Sequence, residues 1–432
     1  MTSTTQPRIL IIGGGIGGLC LAQGLRRAGV PVTVHERTRA RTDWLQGYRI
    51  HINPRGSRAL RDCLDPANWQ TFVDTVSTVG GGFAFVTEHL RTLVELDEEL
   101  VNKGSTDPAD RHHGVSRITL REVLLNGMSD VVRFGSTFQR YETTPDGRVT
   151  AYFEDGTSDT ADLLVGADGA NSRVRGQLLP HAHRVDTGVL AVAGKYRLTD
   201  ASRRELPAEL TTRANNVLPL GPGSLFTAVW SGDRRTAAVP TTADSGLLYD
   251  PTADYAFWGY ADEATRFPDS GRLDGYTGER LRQVVLDRIR RWSPDLRRLV
   301  AGSDPDTVNV VRIRSASPVD PWPTGPVTLL GDAIHNMTPM AGIGANTALR
   351  DADLLRRQLI AVRDGGRALA PAVAEYERQM LDYGFAAVRL SLRNARQAGS
   401  ANPVARAAFR GLLRTAGAVP ALKRRMFADI GN

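Results

Sequence analysis

The stretch from Arg8 to Glu36, RILIIGGGIGGLCLAQGLRRAGVPVTVHE, decides the fold. Arg8–Ile12 is a short apolar run of the kind that forms a buried parallel strand, and it ends in Gly13-Gly14-Gly15. Ile16–Ala28 places Leu19, Ala22, Gln23 and Leu25 at helical spacing before Gly29 stops it. Val30–Glu36 is a second strand, so the chain opens on a βαβ unit. Gly13-x-Gly15-x-x-Gly18 follows the strand and starts the helix. The glycines let the backbone turn tightly and approach a pyrophosphate, whose charge meets the N–H groups and dipole of the helix start. Glu36 closes the second strand, where a carboxylate can accept both ribose hydroxyls of an adenosine.

Around this unit lies a chain of 432 residues, long enough for two or three domains and a large core. With 41% hydrophobic and 23% charged residues it is an ordinary globular composition, and a disordered chain is excluded. Only Cys20 and Cys63 are cysteines, too few for a disulfide framework or a four-thiolate metal site, which points to a reducing cytoplasm. The net charge is +7, but the only lysines are Lys103, Lys195 and Lys423. The arginines are interleaved with acids, and no basic run with interleaved aromatics marks a nucleic-acid surface. Arg8–Leu25 is too glycine-rich for a signal peptide, and no uninterrupted apolar run is long enough to span a bilayer.

Further along, residues 80–100 suggest a hairpin or a pair of sheet strands, and Ser116–Met128 an amphipathic helix. Phe138–Glu142, Val149–Phe153 and Ala161–Gly166 read as a meander with Asp-Gly turns. The stretch 186–260 is mostly β-like. Leu281–Trp292 is helical, Ser293-Pro294 starts another helix, Pro326–Leu330 is a buried strand, and a long helical part begins near Asn346. Helix-bearing and β-rich segments alternate, so two domains are expected to be interwoven.

The βαβ unit alone does not separate NAD from FAD. Two later stretches do so by resemblance. Gly166-Ala167-Asp168-Gly169-Ala170-Asn171-Ser172-Arg173-Val174-Arg175 resembles the DG motif of the flavoprotein aromatic hydroxylases. Gly331-Asp332-Ala333-Ile334-His335, with Pro339, Gly342, Gly344 and Asn346 after it, resembles their GD motif. The resemblance spans nearly the whole chain up to about residue 390. It implies an α/β fold in which a Rossmann-like FAD-binding domain of the glutathione-reductase type (1–75, 108–180 and 288–395) is interwoven with a mostly antiparallel substrate sheet (76–107 and 181–287), followed by a helical tail (396–432).

It also implies cofactor contacts from Gly13, Gly15, Ile16, Gly18, Glu36 and Arg37, from Asp332 at a ribityl or ribose hydroxyl, and from Arg117 at the FAD phosphates. Asp168 is implied near the pyrophosphate, against the alternative of a turn residue before Gly169. Arg49, after Gly47-Tyr48, lies where the family passes a loop over the flavin. Pro339, Gly342, Gly344, Ala345 and Asn346 open a helix whose positive end suits the N1/O2 side of a reduced isoalloxazine.

Small bacterial members that inactivate or hydroxylate polycyclic antibiotics, tetracycline-degrading monooxygenases among them, look similar to QGYRIHINPRGSRAL and ADLLVGADGANSRVRGQLLP. Where those enzymes carry Pro-Pro-Phe-Ala-Gly, this chain has Thr338-Pro339-Met340-Ala341-Gly342, a flexible lining in place of an aromatic one. Thr227 and Val229, with Phe257 and Gly259, are expected to alternate toward one sheet face and are candidates for pocket lining, with ordinary core packing the favoured reading for any single one of them.

The expected enzyme holds FAD tightly and non-covalently, takes NADPH or NADH as a transient co-substrate, and inserts one atom of O2 through a C4a-hydroperoxyflavin into an aromatic or polycyclic small molecule. Antibiotic metabolism or inactivation, a monomer or weak dimer, and no separate reductase, nucleic acid or membrane partner complete that expectation. An FAD-dependent dehydrogenase, reductase or halogenase of the same fold is the rival, as is a non-catalytic flavin module. The Trp-x-Trp-x-Ile-Pro stretch of a halogenase is absent, since Phe257-Trp258-Gly259-Tyr260 does not match it. No metal site is expected from His112, His113 or His335. In the tail, Val404, Ala408, Leu412 and Ala416 fall on one helix side and Arg406, Arg410 and Arg414 on the other; packing of the apolar side on the body is favoured over a membrane surface.

Overall fold

Residues 6–39, 49–77, 82–232 and 254–427 are described by the computed structural model. Gly47 and Tyr48 therefore lie outside the described residues. Five short strands form a parallel sheet in the spatial order Val327–Leu329, Leu163–Gly166, Ile9–Ile12, Val32–Glu36, Val132–Phe134. Ile9, Leu10 and Ile11 are completely buried, as a strand covered on both faces demands. The helix Ile16–Arg27 packs on this sheet with the helix Gly344–Arg363 beside it. The chain thus enters the sheet at its centre and returns to its edge from a segment more than three hundred residues away.

A second sheet has seven strands in the order Asn309–Ala316, Arg184–Arg197, Tyr255–Glu263, Ser224–Trp230, Ala214–Val217, Phe83–Val86, Thr92–Leu96. The expected pair of strands between residues 80 and 100 is its outer hairpin. One face carries Val192, Val229, Trp258 and Tyr260 into a core closed by the helices Gly278–Arg288 and Pro294–Ala301, each capped by the hydroxyl of the residue before it, Thr277 and Ser293. Two short helices, Asp200–Glu205 and Ala208–Thr212, interrupt the stretch expected to be mostly β-like.

Two readings are corrected. The run Ala161–Gly166 is not one meander strand. Ser158–Ala161 completes a three-stranded antiparallel sheet, and after Asp162 the chain enters the parallel sheet as Leu163–Gly166. Asp162 makes the break, because its carboxylate accepts the Arg8 amide at 2.7 Å and ties the new strand to the first one. In the tail helix Pro403–Ala418 the inward face is not the expected one: Arg410 and Leu413 are buried along with Ala416 of the expected apolar side, whereas Val404 is 76% and Leu412 46% exposed and Arg414 is exposed. Arginine turns inward because partners await it. Arg406 donates to the carbonyls of Pro219, Gly221, Gly223 and Ala398, and Arg410 pairs with Glu88 at 2.9 Å.

Candidate functional site

The glycine turn divides its labour. Gly13 has φ +112°, and a Cβ there would sit 2.4 Å from the Ala167 carbonyl oxygen, so the first glycine is fixed by backbone geometry and by the neighbouring strand. At Gly18 a Cβ would meet the Gly13 oxygen at 2.3 Å, which lets helix and turn touch. At Gly15 a Cβ would meet nothing within 4 Å, and the residue is exposed. Gly15 is also the N-cap of Ile16–Arg27 and supplies no side-chain cap. Ile16, the first helical residue, is half-buried. Glu36 is buried, with Oε2 accepting the Gly14 amide at 2.6 Å and Oε1 the Thr38 amide at 3.0 Å. A carboxylate has further lone pairs beyond these two bonds, so it holds the turn and can still receive hydroxyls. Arg37, directly beyond it, is exposed.

Arg117 begins the helix Arg117–Leu125, whose N-cap is Ser116. Burial lowers its pKa, while the Asp332 carboxylate opposes that change. Asp332 is itself exposed at the end of strand Val327–Leu329. These two residues from distant parts of the chain therefore lie within range of each other's charge. Asp168 is engaged differently. Its carboxylate accepts the Ser172 hydroxyl and the amides of Arg173 (2.7 Å) and Val174 (3.3 Å), so it supports the first turn of the short helix Arg173–Leu178, whose N-cap is Ser172. The turn role weighed for it is thus the one its bonds display.

Gly342 adopts φ +65°, and Gly344 starts the helix Gly344–Arg363. Ile343 caps that helix without a side-chain bond, as Gly15 does for the first one. Asn346 is buried; its Oδ1 accepts the Asn53 amide at 2.8 Å and its Nδ2 donates to the His51 carbonyl at 2.8 Å. It clamps the helix start to strand Arg49–Ile52, and Ala345 beside it is half-buried. The turn Pro339–Ala341 is held to the long helix Leu369–Gly399 by the Thr338 hydroxyl, which donates to the Ser391 carbonyl at 2.9 Å, and by Asn394, which donates to the Met340 carbonyl at 3.3 Å.

Met340 packs against Val189, Ala191, Ala261, Ile313 and Ala395. Ala191 and Ala261 belong to the face of the seven-stranded sheet that also carries Ala193, Gly259, Phe257, Ala228 and Phe226, as the registers Ala193↔Gly259, Phe226↔Gly259 and Ala228↔Phe257 require. At the other end of this face the Tyr255 hydroxyl accepts the Arg49 amide at 2.9 Å. One end of the face thereby meets the turn before Gly342 and the other the strand Arg49–Ile52. Here the expectation about the pocket is corrected. Thr227 pairs with Trp258 and Val229 lies in the same core, so both point away from Met340, while Phe257 and Gly259 point toward it. Thr227 is 1% exposed and bonded to Asn215. Counting alternation within each strand could not relate the two strands; only their register does.

Sequence reasoning missed three supporting groups. Arg121 is buried and its Nε donates to the Gly14 carbonyl at 3.2 Å; its i+4 spacing from Arg117 on an apolar helix was a legible signal. Thr338 with Ser391, and Asp351, left no local signal because their partners are distant in sequence.

The histidines have protein partners. His51 Nε2 lies 2.7 Å from His112 Nδ1, His113 Nε2 donates to the Pro108 carbonyl at 2.7 Å, and His335 Nε2 lies 2.6 Å from Asp351. Among the described residues no group of three or more His, Cys, Asp or Glu side chains could hold a metal ion. Among them also, no helix is long and apolar enough to cross a membrane.

The residues fit an extended flavin nucleotide. The helices Ile16–Arg27 and Gly344–Arg363 start at glycine turns without side-chain caps, as Leu369–Gly399 also does at Ala368, whereas Pro54–Cys63, Arg117–Leu125 and Gly278–Arg288 are capped by Asn53, Ser116 and Thr277. Arg49 adds a buried Nε with no hydrogen-bond partner among the described residues.

Comparison with known proteins agrees with this geometry. The family model described as FAD binding domain matches residues 6–231 and 288–391. A structure from Photorhabdus luminescens subsp. laumondii, named as an FAD containing monooxygenase, is 38% identical, with a TM-score of 0.80 over 91% of this chain and 98% of that one. The FAD-dependent urate hydroxylase of Klebsiella pneumoniae is 29% identical over 387 residues, 87% of this chain and 86% of that protein. A dual O-methyltransferase/FAD-dependent monooxygenase of Phaeosphaeria nodorum is 31% identical over 391 residues, 80% of this chain. The chain spans about two-fifths (39%) of the length of that dual-function relative.

Proposed function

The chain belongs to the FAD binding domain family, and from that membership we propose that it is an FAD-dependent monooxygenase that consumes NADPH or NADH and places one atom of O2 on an aromatic or polycyclic small molecule. The observation that supports this reading is the open glycine turn at Gly15, where a Cβ would meet no protein atom within 4 Å, at the uncapped start of the first helix. When bound, FAD supplies the redox chemistry, taking a hydride from the nicotinamide and activating oxygen.

The chain supplies position and charge. The turn Gly13–Gly18 and the uncapped helix start receive the pyrophosphate, with Arg117 against the phosphates and Arg121 holding the Gly14 carbonyl. Glu36 accepts the ribose hydroxyls, and Asp332 a ribityl hydroxyl. Gly342, Gly344 and Asn346 present the second uncapped helix to the pyrimidine edge of the flavin ring, where its dipole favours negative charge. Ile16, Arg37, Arg49, Asp168, Pro339 and Ala345 complete the proposed cofactor set.

Met340, with Phe226, Phe257, Ala193 and Gly259 on the sheet face whose cluster it packs against, supplies the apolar lining proposed for a planar substrate and for the exclusion of water. No side chain here is assigned as a general base. We further propose a monomer or weak dimer in the cytoplasm, with no separate reductase. The domain division is proposed as expected above except at its fourth crossing: Ile289, Leu296, Leu299, Val300 and Val308 pack with the seven-stranded sheet, which supports a return to the FAD domain near Ala316 and not at 288.

Purified protein should be yellow, and planar phenols should accelerate its NADPH oxidation and emerge one oxygen atom heavier by mass spectrometry. A folded, colourless preparation that takes up no FAD would sink the reading. FAD-bound protein that oxidises NADPH and reduces or oxidises its substrate without adding oxygen would make it a dehydrogenase.

A further inference from the structure

Asp351, on the helix Gly344–Arg363, is fully buried and accepts three hydrogen bonds from two other segments, the turn Gly331–His335 and the helix Leu369–Gly399. The Gly331 amide donates to Oδ2 at 2.8 Å, His335 Nε2 reaches the same oxygen at 2.6 Å, and the Tyr383 hydroxyl donates to Oδ1 at 2.6 Å. A carboxylate removed from water is costly unless its charge is paired and its lone pairs are used. Here both conditions hold, and the three donors surround one short segment of chain. Gly331 has φ +64°, a left-handed conformation that places the following residue. That residue is Asp332, exposed, while Ala333, Ile334 and His335 behind it are buried.

The clamp has little freedom. The His335 ring is wedged, since a Cβ on Gly384 would lie 2.6 Å from its Cδ2. Its Nδ1 is buried without a partner among the described residues, so Asp351 is the group that fixes the ring. The Tyr383 ring is covered by the Arg350 guanidinium at 3.6 Å, which keeps the phenol turned toward Asp351.

We propose that Asp351, together with His335 and Tyr383, is the positioning device of the cofactor site: it locks the turn at Gly331 so that the Asp332 carboxylate points at the flavin ribityl chain. The proposal rests on the FAD reading above and deepens it. Asp351 and His335 are buried behind the exposed Asp332 and Tyr383 is turned to Asp351, so the three are positioning residues whose loss acts through Asp332.

The charge state of His335 provides a readout that simple packing would not. Burial disfavours its charged form, but Asp351 and, at longer range, Asp332 outweigh burial and raise its pKa. The groups around it are Asp351 and Arg350 from its own partner helix, Tyr376 and Tyr383 from Leu369–Gly399, Asp332 from its own turn, and Arg175, which donates to the Ala333 carbonyl at 2.8 Å. Bound FAD would shield Asp332 from water and strengthen its attraction for the imidazolium. Reciprocally, FAD affinity should fall as pH rises above the ordinary histidine range.

The test uses full-length apoprotein, FAD titration followed by flavin fluorescence quenching between pH 6 and 9, and thermal melting of each apo variant. Tyr383→Phe and His335→Gln should each raise the FAD Kd tenfold or more while Tyr383→Phe keeps its apo melting temperature within a few degrees. His335→Gln should also lose the pH dependence. Asp382→Asn, an exposed neighbour, should behave as wild type. Folded Tyr383→Phe with a wild-type Kd overturns the proposal, as does a wild-type affinity that does not fall with rising pH. If His335→Gln does not fold, those two measurements decide. Wild-type protein that takes up no FAD would instead overturn the functional reading itself.

Discussion

Gly13 and Gly15 stand two residues apart and answer to different constraints. At Gly13 an alanine would carry both a positive φ and a contact with the Ala167 oxygen that no real Cβ makes. Gly13→Ala should therefore cost the apoprotein at least about 2 kcal/mol in chemical denaturation. Gly15→Ala meets no protein atom. It should change apo stability by no more than about 1 kcal/mol, the scale of an N-cap substitution, yet lower FAD affinity at least about tenfold by filling the open turn. The pattern Gly-x-Gly-x-x-Gly displays both glycines alike, and the distinction comes only from what lies across from each. His112 provides a second residue-scale expectation. Burial first, then His113 and Lys103, lower its pKa to about 4. Because the unfolded chain binds the proton more readily than the native one, stability should fall as pH drops from about 6.5 toward 4, by at most about 3 kcal/mol. Urea unfolding at several pH values should show that slope, and His112→Asn should make it shallower. Equal slopes would mean that the other histidines or the carboxylates carry the acid sensitivity.

Elements decide which way a residue faces. Gly259 and Thr227 sit on neighbouring antiparallel strands, one on each side of the sheet. A Cβ on Gly259 would meet Phe257 no closer than 3.4 Å, so Gly259→Val should fold and bind FAD normally while raising the KM for a planar substrate about tenfold, the cost of a side chain added to the lining. Thr227→Val should lower stability by about 1 kcal/mol, the worth of its bond with Asn215, and leave KM unchanged. Steady-state kinetics on both variants distinguishes the two faces; a reversed outcome would place the lining on the other side. The same logic explains what the sequence could disclose. The first strand, the glycine turn, Glu36 and the helix after Ser116 are local patterns, and each lies where it was expected. The two corrected faces are not local. Helical spacing sorted Arg406 and Arg410 from Val404 and Leu412 correctly, but which side turns inward depends on carbonyls near residues 219–223 and on Glu88. Asp351 was equally invisible, because its meaning arises from Gly331, His335 and Tyr383 converging on it.

At the scale of the molecule the two sheets place different demands on the chain beyond Gly399. The proposed cofactor-binding residues all precede Gly399, whereas the helices Pro403–Ala418 and Pro420–Phe427 serve the far edge of the seven-stranded sheet. There Leu413 is buried with Leu93, Val94 and Leu96, Phe427 stacks on Phe85 at 6.0 Å, and Lys423 donates to the Glu95 carbonyl at 3.1 Å. Thr92–Leu96 is an edge strand, and an uncovered edge with an apolar face is a template for pairing with another chain. A protein ending at Gly399 should consequently keep its FAD Kd within about twofold and elute from a sizing column as dimers and larger species. It should also melt several degrees lower, because Arg406 and Arg410 no longer tie the outer strands to the body. Full-length protein carrying Arg410→Ala should fall between the two, since the helix remains but loses its partner Glu88. Loss of FAD binding in the shortened chain, with elution unchanged, would show that the tail serves the cofactor site and not the edge.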